Sequence, residues 1–280
     1  MHTKFPHIQV RNNCLVYYEL SEFRPPTANR KIGFPSYTGQ VTYGAKKRIQ
    51  KAIDIFLQKA PQRIIYNPVT GYNQPFQLNF VTLTVSSHKN IDINEGYKNL
   101  MKPFLRKLRA TGPLSYIWKA EFQERGQLHY HVTTNTFIHW STLRNTWNNL
   151  QRKHRYLDDF ASKTGHFDAN STDVHAVYKI NDLASYLSKY MSKPVYDQSK
   201  KDQKGKPLLA NGKIWDCSTD LKQQRFSFEL TNHTELALKE AVKRKEVTIV
   251  PLEYCTIFKT KKPLDFLDSS TLKNYLSWKY

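Results

Sequence analysis

Two short stretches of this chain combine residue types that can do chemistry together. Gly126-Gln-Leu-His-Tyr-His131 sets His129 and His131 one residue apart. Tyr186-Leu-Ser-Lys-Tyr-Met-Ser-Lys193 sets Tyr186 and Tyr190 four residues apart, each followed three positions later by a lysine. In an extended strand alternate side chains share a face, so the two imidazoles project together and can grip one cation. In a helix, positions i and i+4 are neighbours, so the two phenols can present their hydroxyls to one site. A phenol ionises near pH ~10 and attacks at neutral pH only with help, which the ammonium groups of Lys189 and Lys193 can give. They can equally neutralise a phosphate or a leaving oxygen. The same spacing also suits an apolar helix face on which the tyrosines pack with Leu183, Leu187 and Met191.

A third ligand for the imidazoles depends on how the chain turns before them. Leu114 to Gln123 and Leu128 to Phe137 read as two strands around Glu124-Arg-Gly126, with the glycine available for a left-handed position. A three-residue loop closed by Gln123 and Gln127 sets Glu121 directly opposite His129 on the same face; a two-residue loop turns Glu121 away, and the glycine favours the first. Two histidines and one glutamate leave coordination positions open for water and phosphate oxygens. That suits Mg²⁺ or Mn²⁺ better than a closed structural zinc site. His88, His139, His154, His166 and His175 lack comparable neighbours and are assigned structural or surface roles.

The elements that must position these groups follow from periodicity. Residues 1 to about 40 show no clear period and, with Arg24-Pro-Pro26, read as extended or loop structure. Thr42 to Ala60 is a basic amphipathic helix, and Lys46, Lys47 and Arg48 on it are candidate phosphate contacts, as are Arg63, Arg125 and Arg152. Phe80 to Val85 is a β-branched strand, Asn94 to Ala110 a helix that contains Pro103, and Ser141 to Tyr156 another helix. A short strand at Val174 to Tyr178 leads into the tyrosine helix, capped by Asn181 or Asp182 and stopped by Pro194. Lys200 to Gly212 reads as a loop, and further strands and a helix from Thr234 to Lys245 follow.

Composition sets the partner class. There are 43 Lys and Arg against 23 Asp and Glu, a formal net charge of +20, in a chain with 13% aromatic residues. A field of that sign attracts polyanions, and bases interleaved with aromatics suit single-stranded nucleic acid. Cys14, Cys217 and Cys255 are widely separated and read as free thiols of a reducing compartment. No apolar run approaches the ~20 residues of a membrane span, and no phosphate-binding Gly-x-x-x-x-Gly-Lys-Ser/Thr loop is present, which argues against membrane insertion and ATP hydrolysis. A soluble protein of the host cell cytoplasm is expected.

Taken in order, Phe80-Val-Thr-Leu-Thr84, Glu121 with His129-Tyr-His131, and Tyr186-Leu-Ser-Lys-Tyr190 resemble the three motifs of the HUH endonuclease superfamily over about residues 78 to 195. With two tyrosines the chain is most similar to the two-tyrosine replication initiators of single-stranded DNA phages and related plasmids and transposons. The resemblance implies an α+β fold: a central antiparallel β-sheet of about five strands with packed helices and a relaxase-like, ferredoxin-like core. The core would span 77–197, flanked by a basic amino-terminal extension with a helix, 1–76, and a carboxy-terminal α/β extension, 198–280. It further implies a metal-dependent nickase and ligase acting on a single-stranded or hairpin origin, a 5′-phosphotyrosyl intermediate, and a free 3′-hydroxyl extended by host polymerase, with a host helicase in trans. A transposase with the same chemistry and a non-catalytic single-strand binding protein are the alternatives.

Overall fold

A computed structural model describes residues 4–21, 41–60, 62–68, 70–87, 91–112, 114–123, 126–177, 187–189, 191 and 212–279. The chain is α+β, with helices packed beside antiparallel sheets. Its described residues fall into two compact units, one containing 41–56 and 60–222, the other 4–21, 57–59 and 223–279.

The first unit is built on a five-stranded antiparallel sheet. Its strands are β5 (Leu78–Thr84), β6 (Tyr116–Phe122), β7 (Leu128–Thr134), β8 (Thr172–Val177) and β9 (Trp215–Cys217), in the spatial order β8-β5-β7-β6-β9. β7, which carries the histidines, is central and is buried along its whole length, so both faces of the sheet are covered. The edge strand β9 lies beyond residue 197, where the sequence motifs end, because it pairs with β6 at Ile117 to Lys119. Helix α1 (Tyr43–Lys59) is capped by the Thr42 hydroxyl, which accepts from Ala45 N–H. It buries Ala45, Ile49, Ile53 and Phe56 and ends at Ala60, as the helical spacing and Pro61 predict. A two-stranded ribbon follows, β3 (Arg63–Asn67) with β4 (Tyr72–Phe76), which exposes Ile64, Tyr66 and Tyr72.

The predicted helix around Pro103 runs as α2 (Ile93–Gly96), a π-helical segment (Tyr97–Met101) and α3 (Lys102–Arg109). Proline cannot donate to the carbonyl four residues back and crowds it. The wider π-turn, in which Lys102 N–H bonds Tyr97 O, accommodates that loss without breaking the helix. With α4 (Trp140–Lys153) this helix covers the face carrying Trp118 and Tyr130. Tyr97 stacks on Trp118 at 5.5 Å, and Trp147 meets Phe104 and Tyr130 edge-on. Fully burying rings of this size contributes about 3 kcal/mol each. Gly96 is required at the contact, because a Cβ there would lie 2.4 Å from Leu128 Cδ2 and 2.6 Å from the Tyr130 hydroxyl. A short helix, α5 (Asp158–Thr164), precedes β8.

In the second unit the two chain ends meet. Strands β1 (Lys4–Arg11), β2 (Cys14–Ser21), β10 (Ser227–Glu229), β11 (Thr248–Pro251) and β12 (Thr256–Lys259) form an antiparallel sheet in the order β10-β1-β2-β12-β11. Helices α6 (Asn232–Lys243) and α7 (Ser269–Lys279) close its core over Ile8, Val10, Leu15, Leu238 and Tyr275. The amino-terminal stretch therefore corrects the expectation of aperiodic structure there: Ile8 and Val10 alternate inward, and Asn12-Asn13 makes a two-residue turn into β2. The two segments treated as separate extensions in the sequence share one sheet. Among the described residues, no helix is long and apolar enough to cross a membrane.

Candidate active site

The hairpin between β6 and β7 decides which side chains meet. Gln123 N–H bonds Gln127 O at 2.9 Å, Gly126 N–H bonds Gln123 O at 2.9 Å, and Gly126 has φ 78°, a left-handed position that a glycine occupies without strain. This closure leaves three residues in the loop and pairs Glu121 with His129 across the ladder, the register that the glycine favours. Paired residues share a face, so Glu121, His129 and Thr84 form one row across the sheet, and Lys119, His131, Thr82 and Asp173 form the next.

Both imidazoles are buried, at 4% exposure for His129 and 8% for His131. Glu121 Oε1 lies 2.8 Å from His131 Nε2. A carboxylate only accepts, so His131 Nε2 carries the proton, and its Nδ1 faces the Thr82 hydroxyl at 3.3 Å. Phe80 stacks on the His131 ring at 5.5 Å and fixes its plane. His129 Nδ1 accepts from the Gln123 side-chain amide at 3.1 Å, while its Nε2 is buried without a hydrogen-bond partner. Burial, with His131 adding to it and Glu121 opposing, lowers its pKa from 6.5 to about 4, so the ring is neutral at pH 7. A buried, unpartnered imidazole nitrogen costs about 1–3 kcal/mol unless something occupies it.

Motif reading misses Lys119, the least expected member of the site. It is wholly buried on the histidine face, with Nζ 3.8 Å from Glu121 Oε2. Motif reading misses Asp173 and His175 on β8 as well: they share this face and are paired at 2.7 Å, so His175 is not the unpartnered surface histidine that its sequence context suggests. Their signal is the same alternation that marks His129 and His131, in a strand whose pairing to β5 is long-range. His139 does cap a helix, accepting from Ser141 N–H at the start of α4.

Two imidazoles and a carboxylate are donors of the right type for a divalent cation. Among the described residues, however, no three His, Cys, Asp or Glu side chains are already arranged around one point, because His131 and Glu121 bond each other. Tyr186, Tyr190 and Lys193 lie outside the described residues. Beside them, Leu187 and Met191 are buried helical residues and Lys189 is exposed only in part. Of the predicted phosphate contacts, Lys46, Lys47 and Arg48 are exposed on α1, with Lys47 over the Tyr43 ring. Arg63 is exposed but bonds Asn135 O at 2.9 Å, Arg152 is exposed on α4 and bonds Asn149, and Arg125 lies outside the described residues. The structure spreads these residues over several elements and does not gather them into one patch.

Residues 78–195 match the family model of replication-associated proteins of the ORF2 and gene II protein type. The matched stretch begins with β5, contains Glu121, His129 and His131, and extends past the Tyr186–Tyr190 pair, so the chain carries a replication-initiator-like segment. No curated protein and no solved structure matches the chain. The replication-associated segment stops short of β9, yet that strand completes its sheet.

Proposed function

We propose that this protein initiates replication by nicking and rejoining single-stranded DNA at an origin, with Tyr186 and Tyr190 as the nucleophiles and Glu121, His129 and His131 as ligands of Mg²⁺ or Mn²⁺. The observation that carries the reading is the Glu121–His129–His131 cluster, with a buried and unpartnered His129 Nε2, inside a replication-associated segment that also contains the tyrosine pair. The bound cation would act as a Lewis acid on the scissile phosphate.

The side chains supply positioning and charge. For Nε2 of His129 to ligate, its proton must move to Nδ1, and the Gln123 side chain can accept it by presenting its amide oxygen in place of its nitrogen. His131 must likewise give up its bond to Glu121. One phenolate oxygen attacks phosphorus, the bond to the 3′ oxygen breaks, and that oxygen leaves as a hydroxyl once protonated. The bond energy stays in the phosphotyrosyl ester, so no ATP is needed, and the second tyrosine can cut the regenerated origin before the ends are joined. Lys189, on the same helical turn as the tyrosines, adds positive charge for the phosphate. Host polymerase and helicase would act on the released 3′ end in the cytoplasm.

The experiment is incubation with a randomised pool of single-stranded DNA and Mn²⁺, followed by boiling in detergent. A covalent protein-DNA band is expected. It should vanish in the Tyr186→Phe, Tyr190→Phe double variant and persist in either single variant. A band that survives in the double variant removes the tyrosines from the mechanism, and no band from the wild type supports a binding protein without catalysis.

A further inference from the structure

On the face of the same sheet away from the histidines, a cavity of about 550 Å³ opens between the π-helical segment with α3, the start of β6 and the residues around β9. Four cations line it from the helix, Lys98, Lys102, Arg106 and Arg109, at spacings of four, four and three residues. They make a stripe of roughly 16 Å at ~1.5 Å per residue. Lys222 adds a fifth charge from the opposite wall. The carboxylate among the lining residues, Asp216, is already held by Lys213 at 2.5 Å and Lys222 at 2.8 Å. Among the described residues Lys98, Lys102 and Arg106 form no ion pair or hydrogen bond and are exposed. Four like charges along one wall repel each other, and no described carboxylate pairs with these three to offset them.

We propose that this cavity is a second nucleic-acid site, a groove that holds the phosphate backbone of one DNA or RNA strand on the back of the catalytic sheet. The wall chemistry fits a phosphodiester chain. Arg109 donates to the Tyr116 hydroxyl at 2.6 Å, and burial keeps that phenol protonated, so its O–H remains able to donate to a phosphate oxygen. Tyr97, half-buried and stacked on Trp118, lines the cavity beside Lys98. At this volume the cavity falls in the range of small-molecule sites, with room for about one or two nucleotides of a single strand and none for a duplex. The site does not depend on the nicking chemistry. It would hold a displaced or incoming strand away from the histidine face.

The test is equilibrium binding of an oligothymidylate 20-mer and of a duplex of equal length, without divalent cations, across a salt series. Lys98→Glu, Lys102→Glu and Arg106→Glu are combined in one variant. Single-strand contacts contribute a salt slope of about 0.7 each, so losing three should flatten the slope by about 2 and weaken single-strand binding about 100-fold at 0.1 M salt. The duplex should lose less. A control reversing Lys243, Lys261 and Lys273, exposed cations of the other unit, should change single-strand binding far less. Equal losses in both variants, or equal losses for duplex and single strand, would overturn the proposal. As a check independent of folding in the variant, a 5-iodouracil oligonucleotide photocrosslinked to the wild type should label the peptide from Tyr97 to Arg109. Labelling confined to other peptides would also overturn it.

Discussion

Removing Glu121 should unfold the site before it reports on metal binding, because Glu121 is a counter-charge for a buried lysine. Lys119 Nζ is 3.8 Å from Glu121 Oε2; the lysine side chain is wholly buried and the glutamate side chain is 23% exposed. At an effective dielectric of about 20, two unit charges at that distance attract by about 4 kcal/mol. Partial exposure of Glu121 and its competing bond to His131 reduce what a measurement can recover, leaving a coupling of about 1–3 kcal/mol. The assay is a double-mutant cycle by urea denaturation with Glu121→Gln, Lys119→Met and the pair together. Glu121→Gln alone should destabilise strongly, and the double variant should regain most of the loss, since methionine leaves no buried charge. A coupling below about 0.5 kcal/mol, with the glutamine variant as stable as wild type, would refute the reasoning. The practical consequence is that Glu121 should be tested for catalysis in the Lys119→Met background.

Two further predictions concern the frame. Gly96→Ala should cost about 1–3 kcal/mol by overpacking against Leu128 and the Tyr130 hydroxyl, read as a lower denaturation midpoint; an unchanged midpoint would mean the helix does not press on the histidine strand as described. Burial raises the Cys217 thiol from 9.0 to about 11, with Asp216 adding to the shift. Its folded pKa lies above its unfolded one, so its contribution is complete below pH 9 and is lost as pH rises towards 11, about 2 kcal/mol in all. Stability of wild type relative to Cys217→Ala should fall over that window, and at pH 8 the native thiol should react with a disulfide reagent about 100-fold more slowly than the denatured one. Equal rates would contradict the burial.

What could be read from the sequence was governed by short-range rules. The parity of His129 and His131, and the register that brings Glu121 opposite His129, follow from strand alternation and one glycine in a three-residue loop. Helix α1 and the hairpin strands follow from periodicity and breakers in the same way. What escaped depended on partners far along the chain. The β1–β2 hairpin contains Pro6 and is completed by β10 and β12 from the other end of the chain. Lys119 looks like an ordinary strand lysine until β5, β7 and β9 close around it. The cations on the helix before and after Pro103 read as a solvated face, and only the wall around Lys222 makes them one side of a cavity.

Whether Tyr186 and Tyr190 make the covalent bond to DNA is tested most directly by tandem mass spectrometry of the nuclease-trimmed adduct formed from randomised single-stranded DNA and Mn²⁺. The predicted result is a nucleotide remnant linked through a 5′ phosphate to the peptide containing Leu187 and Lys189, on Tyr186 or Tyr190. A remnant on any other residue, or no adduct from protein that still binds the DNA, would contradict it.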